Sequence, residues 1–385
     1  MKSEPACSVG QPHFAVRDEN AIGIGNLPDS LSSATQPSRH DIHILDPGDA
    51  AEWDRRVFAH PDYTFFHSAA WAKVICETYG HAPHYQIFSE PGGEVLALVP
   101  LVEVLSFVTG RRGVCLPFSD FCAPLVFQEN QRNLVETEIL RLARQNRWKY
   151  VEIRGAGSLE ITCNPAVTYY GHKLDLTDPV EAVFDRFAGG TKGAVRQALK
   201  NGLEVSTFDS EDSVRDFFRL HVTTRRRHGT PPQPWKFFVN LHRNVIKRGL
   251  GFVVLARAGA QTVAGAIFCS FGDRAVYKFA ASDPNHAKSR ANNLVLWHAI
   301  KQLVGTGFKI LDFGRTSLAN DGLRRFKLSW GAKEEQISYV RLDAFSGHWS
   351  GCEGDRGSSW YSHVSRRLPI PLNNLLGAII YPHLD

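Results

Sequence analysis

The 385-residue sequence predicts an α/β protein with mixed sheets, built from two similar lobes in tandem, and three observations carry that expectation. The composition, with 43% hydrophobic and 22% charged residues, is that of a globular chain and excludes collagen-like, low-complexity and wholly disordered classes. At roughly 150 residues per domain, the length suits two domains with a core each. A local pattern also recurs. Arg147-Trp148-Lys149-Tyr150-Val151-Glu152-Ile153-Arg154 and Thr306-Gly307-Phe308-Lys309-Ile310-Leu311-Asp312-Phe313 each run from a basic or small turn through an aromatic and a Lys into an apolar strand bearing one acid. In both places the strand follows a helix, a hairpin and a second helix, as a duplicated α/β unit would require.

Residues 1–40, rich in Ser, Pro, Gly and Asn and without sustained periodicity, are expected to form a disordered leader. The first lobe is expected over 41–176. Ile42-His43-Ile44 opens it as a short strand, and Pro47 and Asp49 start a helix running towards Phe58. Ser68 can cap a helix from Ala69 to Tyr79 that turns Trp71, Val74 and Ile75 inward. Strands Tyr85–Ser89 and Val95–Leu105 flank the turn Glu90-Pro91-Gly92-Gly93, and Gly110-Arg111-Arg112-Gly113 reads as a further hairpin turn. A helix from about Asn130 to Asn146 leads into strand Lys149–Arg154, and Tyr169–Leu176 reads as a strand before the boundary.

The second lobe is expected over 177–345. Asp178-Pro179 starts one helix, and Thr191–Lys200 forms another that stops at the cap pair Asn201-Gly202. Val214–His228 and Trp235–Lys247 read as helices, Phe252–Ala258 and Val263–Phe271 as a hairpin, and Ala275–Ala281 as a third strand. Helix Asn292–Val304 then enters strand Lys309–Phe313. Residues 346–385 make a tail in which Arg366-Arg367 precede the apolar run Leu368–Tyr381, interrupted by Pro369 and Pro371. That run is expected to form a short apolar helix, too short to span a bilayer, that either docks on the fold or lies at a membrane interface.

A net charge of +5 suits a phosphorylated partner without pointing to nucleic acid. The seven cysteines are scattered, with no CxxC, so neither a disulfide framework nor a zinc finger is indicated; a reducing cytoplasm is the expected compartment. No secretory signal and no uninterrupted apolar span of about eighteen residues is found. Pro83 between His81 and His84, with no third ligand nearby, argues against a metal site. Walker, dinucleotide-binding and Gly-x-Ser-x-Gly motifs are missing, which weighs against nucleotide cofactors and covalent catalysis.

The richest stretch for chemistry is Asp312-Phe313-Gly314-Arg315, followed by Gly322-Leu323-Arg324-Arg325-Phe326-Lys327 and Trp330-Gly331. Polar groups where a strand ends form a common site arrangement in α/β folds. A Phe beside a Lys can stack on a planar group while the ammonium meets an oxyanion or a phosphate. The alternative is a surface helix with Phe326 in the core and Lys327 in water. Arg225-Arg226-Arg227, before the Pro-rich loop at Pro231-Pro232, suit phosphate or carboxylate recognition, or merely complement a helix dipole. Lys192, Arg196 and Lys200 form a basic helix face that needs no function.

His67-Ser68-Ala69-Ala70-Trp71, the Thr224–Pro231 loop, Asn292-Asn293-Leu294-Val295-Leu296-Trp297, Asp312-Phe313-Gly314-Arg315 and Gly322–Gly331 stand in an order that resembles the bacterial FemAB/FemX-like proteins of the GNAT superfamily. The likeness covers about residues 42–345, and it is nearest to the subgroup associated with exopolysaccharide and exosortase gene clusters. It implies two tandem GNAT-like domains and transfer of an aminoacyl group from aminoacyl-tRNA to an amine of a peptidoglycan precursor. On the matching positions it implies that Lys327 stabilises developing negative charge, with Phe326 beside it. Asp312 is then a candidate base. Arg225, Arg226, Arg227, Arg315, Asn293, Tyr277 and Trp71 are candidate substrate-binding residues. Two features depart from the pattern: Ser289-Arg290-Ala291-Asn292-Asn293 lacks the glycines of a coenzyme A loop, and Ala319-Asn320-Asp321-Gly322 lacks a glycine pair.

The expected function is therefore direct acyl or aminoacyl transfer onto a peptidoglycan or exopolysaccharide precursor, with the donor as a substrate and no cofactor or metal. An acyl-CoA-type N-acyltransferase and a non-catalytic GNAT-derived scaffold of polysaccharide assembly are the competing readings. Expected partners are an acyl or aminoacyl donor, tRNA included, an envelope-precursor acceptor, and peripherally the inner membrane.

Overall fold

Four strands run antiparallel from one edge inward, a fifth joins in parallel and a sixth antiparallel; the second half repeats the scheme from the other edge. This computed structural model describes residues 41–45, 50–107, 109–155, 159, 161, 163, 167–352 and 365–384. The expected leader lies outside the described residues, as does part of the tail.

In the first half, β1 (Asp41–Leu45) leads through α1 (Ala50–Phe58) and α2 (Ala69–Tyr79) to β2 (Ala82–Ser89), β3 (Val95–Ser106), β4 (Gly110–Val114) and the short β5 (Leu125–Val126). Then α3 (Arg132–Gln145) leads to β6 (Tyr150–Arg154). After β7 (Val167–Asp175), α4 (Val180–Asp185) and α5 (Gly189–Lys200), the order returns: β8 (Glu204–Phe208), α6 (Glu211–Arg227), α7 (Trp235–Asn244), β9 (Gly251–Ala258), β10 (Gln261–Phe271), β11 (Arg274–Ser282), α8 (Ala291–Gly305) and β12 (Ile310–Asp312). The described residues close with β13 (Thr316–Ser317), α9 (Asp321–Ser329), β14 (Lys333–Asp343), β15 (Trp349–Gly351) and α10 (Ile370–Ile380).

Among the described residues all fifteen strands belong to one sheet, with the main order β1-β2-β3-β4-β6-β14-β7-β12-β11-β10-β9-β8. The sixth strand of each half is supplied by the other half's chain. β7, which follows β6, pairs with β12, whereas β14, which follows β12, pairs with β6. The exchanged strands then pair with each other from Lys333↔Lys173 to Tyr339↔Val167. The tandem expectation holds, and strand exchange joins the two lobes into a single sheet.

Local signals placed most of these elements. Ser68 Oγ accepts the Trp71 N–H at 3.2 Å as the N-cap of α2, and Gly80 closes the helix in the left-handed region (φ 75°). Gly110-Arg111-Arg112-Gly113, expected as a turn, belongs instead to strand β4. It pairs with β3, and at Gly113↔Val151 it runs parallel to β6. Gly113 is needed because the Trp148 ring occupies the place of any Cβ there. Strands β8 and β14 were not foreseen, because β14 opens with the polar run Lys333-Glu334-Glu335-Gln336, which carries no apolar alternation.

Among the described residues three large apolar clusters follow from this plan, with a small fourth of Tyr169, Ile337, Tyr339 and Cys352 on the exchanged strands. Each half has an outer layer: α3 packs Val135 and Ile139 against the first half, and α8 packs Leu296 and Ile300 against the second. The third cluster is shared. Trp53, Phe65 and Trp71 from the first half meet Phe217, Phe237 and Ile267 from the second. The Asn240 side-chain amide donates to Thr78 Oγ1 at 3.0 Å across that junction.

Candidate active site

The parallel pairing of β11 with β12 lasts only three residues, from Arg274↔Ile310 to Val276↔Asp312. Past this point the two strands part, and the side chains with chemistry gather at the parting. On β11 the register against β10 jumps from Phe279↔Ile267 to Tyr277↔Phe268, which leaves Lys278 as the extra residue of a β-bulge. A bulge re-aims its residue out of the ladder. The Lys278 ammonium donates to the Phe118 carbonyl at 2.7 Å and to Asp120 Oδ2 at 3.3 Å, and lies 4.6 Å from the Phe66 ring and 5.2 Å from the Trp71 ring.

On the other side β12 ends at Asp312, whose Oδ1 accepts the Gly314 N–H at 2.7 Å. Gly314 stands at φ 71°, where a side chain is disfavoured, and a Cβ there would lie 3.0 Å from Asp120 Oδ2. The following helix, α9, is capped by Asn320, whose Oδ1 accepts the Leu323 N–H at 3.1 Å. Arg324 fixes its outer side. Its guanidinium pairs both oxygens of Glu334 on β14 at 2.7 and 2.8 Å and sits 4.1 Å from the Tyr170 ring centroid. Held this way, α9 sends Lys327 inward. The ammonium is buried and donates to the Gly314 carbonyl at 2.7 Å and the Arg315 carbonyl at 3.0 Å.

Electrostatics separate the three charged groups. Burial lowers the Lys327 ammonium to about 8, although Asp120 and Asp312 favour its charge. Burial raises the Asp312 carboxyl to about 6; the Gly314 N–H opposes that rise and the negative charge of Asp120 adds to it. Burial also pushes Asp120 upward, but Lys278, Arg315 and Lys327 together bring it below the usual carboxylate range. Asp120 is thus a fixed anion, whereas Asp312 and Lys327 titrate near neutrality. An ammonium has three N–H donors, and two are used by backbone carbonyls, which leaves one for a reacting oxygen.

The corresponding position in the first half is built to be inert. There the β4–β6 parallel pairing ends at Val114↔Glu152, as β11–β12 ends at Val276↔Asp312. Glu152 is neutralised by two guanidiniums, Arg154 at 3.0 Å and Arg341 at 2.9 Å. Arg154, the register twin of Gly314, also donates to the Leu116 and Ser119 carbonyls at 3.4 and 3.2 Å and so fills the space where the strands part. The pattern that revealed the duplication therefore also divides it into a sealed and an open copy.

The other sequence candidates fall in several places. Arg315 joins the cluster, its guanidinium 4.4 Å from the Tyr169 ring and 5.1 Å from Tyr339. Phe326 packs half-buried against the second-lobe core, 6.3 Å from Trp330, so it is not presented as a free stacking face. Tyr277 stacks on Phe268 at 5.2 Å on the opposite sheet face from Lys278, with its edge to Phe313. Trp71 is fully buried beneath Lys278, and its indole N–H has no acceptor among the described residues. Asn293 is half-buried in the first turn of α8. Arg225 is committed to the fold through the Tyr381 hydroxyl at 2.8 Å and the Pro231 carbonyl. Arg226 and Arg227 continue the end of α6.

Two groups, Asp120 and Lys278, were missed by reading the sequence. A lone Lys within the apolar strand Ala275–Ala281 was the available signal for Lys278. Asp120 lies in a loop with no period, and only the fold brings it here. The His67 motif explains how that loop is held: His67 Nε2 contacts the Ala123 carbonyl at 2.9 Å, and burial lowers its pKa to about 4, so it stands neutral. The stretch that lacks coenzyme A glycines nevertheless keeps a left-handed turn, with Arg290 at φ 58° before α8. No three His, Cys, Asp or Glu side chains group as metal ligands among the described residues.

Comparisons with known proteins agree with this geometry. A family model described as an acetyltransferase (GNAT) domain matches residues 186–331, the stretch that carries β11, β12 and α9. The UDP-N-acetylmuramoylpentapeptide-lysine N(6)-alanyltransferase of Weissella viridescens is 26% identical over 111 residues, 28% of this chain and 33% of that protein. The chain thus spans about a third of the length of that curated relative. The crystal structure of FemX superposes with a TM-score of 0.63 at 14% identity, over 77% of this chain and 96% of that one. A tandem GNAT protein from the clavulanic acid biosynthesis pathway gives 0.52 at 11% identity, over 79% and 98%. The fold is thus similar to those of FemX and of the tandem GNAT protein, and the acetyltransferase-domain match falls within the second lobe.

Proposed function

We propose that this protein is an acyl- or aminoacyltransferase that forms an amide on a cell-envelope precursor by direct attack of an amine on an activated acyl group. The observation that carries the reading is the open end of the β11–β12 pair, where a buried ammonium and two carboxyls of different acidity meet. In this scheme the acceptor amine attacks the ester or thioester carbonyl, and the carbonyl oxygen becomes an oxyanion facing the free N–H of Lys327. Asp312, ionised above about 6, takes the proton that the amine loses. As the carbonyl reforms, the donor's oxygen or sulfur leaves and takes up the proton held by Asp312, so the donor departs as hydroxyl or thiol and no covalent enzyme intermediate is needed. Lys278 and Arg315 hold Asp120 ionised and so keep the local field favourable to an ammonium. Phe326 packs beside Lys327, and Trp71 lies beneath Lys278 as buried support; Tyr277 packs on the opposite sheet face and Asn293 in α8, away from this cluster.

Similarity to the alanyltransferase supports aminoacyl-tRNA as donor and a peptidoglycan precursor as acceptor; an exopolysaccharide acceptor belongs to the same proposal. The reaction is placed on the cytoplasmic side of the inner membrane, where a lipid-carried acceptor is met at the surface. One observation favours an acyl-CoA donor as the second reading: α8 begins with a left-handed turn at Arg290 and no side-chain cap, and while the Asn293 and Leu294 N–H groups bond back to the Arg290 carbonyl, those of Ala291 and Asn292 are left for a pyrophosphate. Single-turnover assays with labelled aminoacyl-tRNA and with labelled acyl-CoA separate the donors. In them Lys327→Ala is expected to lower transfer at least a hundredfold, and a wild-type rate would overturn the oxyanion role. Mass spectrometry of peptidoglycan and glycans from cells with and without the protein identifies the acceptor.

A further inference from the structure

Helix α10 is seated inside out. Its inward stripe is Asn373 and Gly377, continued one turn later by Tyr381, whereas Leu372, Leu375 and Ile379 face outward and are 51%, 58% and 55% exposed. The seat is specific. Gly377 lies so close to the Pro232 carbonyl that no Cβ fits, and Ser365 Oγ donates to Asn373 Oδ1 at 2.8 Å. The Tyr381 hydroxyl accepts from Arg225 at 2.8 Å and donates to the Pro231 carbonyl at 3.2 Å. Rolling the helix to bury its leucines would break all of these contacts, so the apolar face is held outward.

A second element reaches the same end of the molecule. The turn between β3 and β4 carries Phe107, 84% exposed, with its ring centroid 4.3 Å from that of His383. Arg112 donates to the His383 carbonyl at 3.0 Å and ties the turn to the residues that follow α10. Leu105 and Leu384 are exposed as well. Arginines stand beside this surface. Arg366 and Arg367 stand exposed just before α10, and Arg366 is near enough to His228 to act on it together with Arg227 and Arg225. Arg111 is exposed opposite Leu105. From Arg356 to Leu384 the sequence contains no Asp or Glu.

We infer that this face docks on an anionic phospholipid bilayer. α10 lies in the plane of the headgroups, Leu372, Leu375, Ile379 and Phe107 enter the acyl boundary, and Arg366, Arg367 and Arg227 meet lipid phosphates. Eleven residues are too few to cross, and among the described residues no helix is long and apolar enough to do so. A second copy of the chain would present the same patch and so bring no counter-charge to these arginines. The inference also gives the arginine triplet a place: Arg225 braces α10, and Arg227 extends the cationic rim.

The test uses the full chain and needs neither acyl donor nor acceptor, so it stands or falls separately from the proposed activity. Co-sedimentation is measured with phosphatidylglycerol–phosphatidylethanolamine vesicles and with pure phosphatidylcholine vesicles, at low and high salt. The wild type is expected to bind the anionic vesicles at least tenfold more tightly than the zwitterionic ones, and less so at high salt. Combined Leu372→Ser, Leu375→Ser and Ile379→Ser should weaken anionic-vesicle binding at least tenfold, and Arg366→Gln with Arg367→Gln should erase the lipid preference. Thermal midpoints should match the wild type, because the changed side chains are exposed. Absence of wild-type binding, or equal binding by the variants, overturns the inference. So does a wild-type dimer in sedimentation velocity that the serine variant dissolves, since a second copy would then be the occupant.

Discussion

At Lys327 and Asp312, burial moves a base and an acid towards each other. Each is taken from water, and each loses part of its preference for charge, the ammonium falling to about 8 and the carboxyl rising to about 6. In the proposed reaction Asp312 can serve as base only when ionised, above about 6, and Lys327 can steady an oxyanion only when protonated, below about 8. Transfer by the free enzyme should therefore rise with pH through about 6 and fall through about 8. A kcat/KM profile measured with the preferred donor checks both limbs, and a flat profile across this window would remove the two groups from the chemistry. The twin position makes the comparison internal to the chain. Glu152 has the same place in its strand pair, but its carboxylate oxygens are taken by Arg154 and Arg341 and are not open to a substrate.

Among elements, the decisive difference between the halves lies two places after the paired acid, where the first half has Arg154, the last residue of β6, and the second has Gly314, beyond the end of β12. Gly314 allows the left-handed turn that points two carbonyls at Lys327 and leaves room for the Asp120 carboxylate. Gly314→Ala is expected to cost about 1–2 kcal/mol of stability, because a Cβ is disfavoured at positive φ. It should reduce transfer more than tenfold by crowding Asp120. Chemical denaturation and single-turnover kinetics on the same preparation check the two effects. A variant with full activity would show that the turn does not define the site. α9 contributes by direction, since the paired hydrogen bonds of Arg324 to Glu334 hold it on β14 while Lys327 points inward.

For the molecule as a whole, exchange of β7 and β14 makes the two lobes interdependent. Each sheet half is completed by a strand from the other half's chain, and the shared cluster around Trp71 and Phe237 is buried only when both are folded. Residues 40–385 should therefore unfold in one cooperative transition, with near-ultraviolet and far-ultraviolet circular dichroism coinciding along a urea titration. Separate transitions would indicate lobes that stand alone. The same interdependence assembles the site: Asp120 comes from the first half, and Lys278, Asp312 and Lys327 come from the second.

Local chemistry made much of this protein readable in one dimension. Ser68 before Ala69–Tyr79, the paired strands around Gly92-Gly93 and the repeated acid-bearing strand depend on caps, turns and periodicity, all of which act within a few residues. Lys327 was readable too, because it sits in a motif. Asp120, the bulge at Lys278 and the plug at Arg154 were not, since each takes its meaning from a partner far along the chain. The tail went half-read: its helix followed from composition, but which side it turns outward depends on the Pro231-Pro232 loop and Tyr381. Short-range preferences name the elements. Burial, charge pairing and strand exchange, which act across the fold, choose which copy of a repeated strand end stays open.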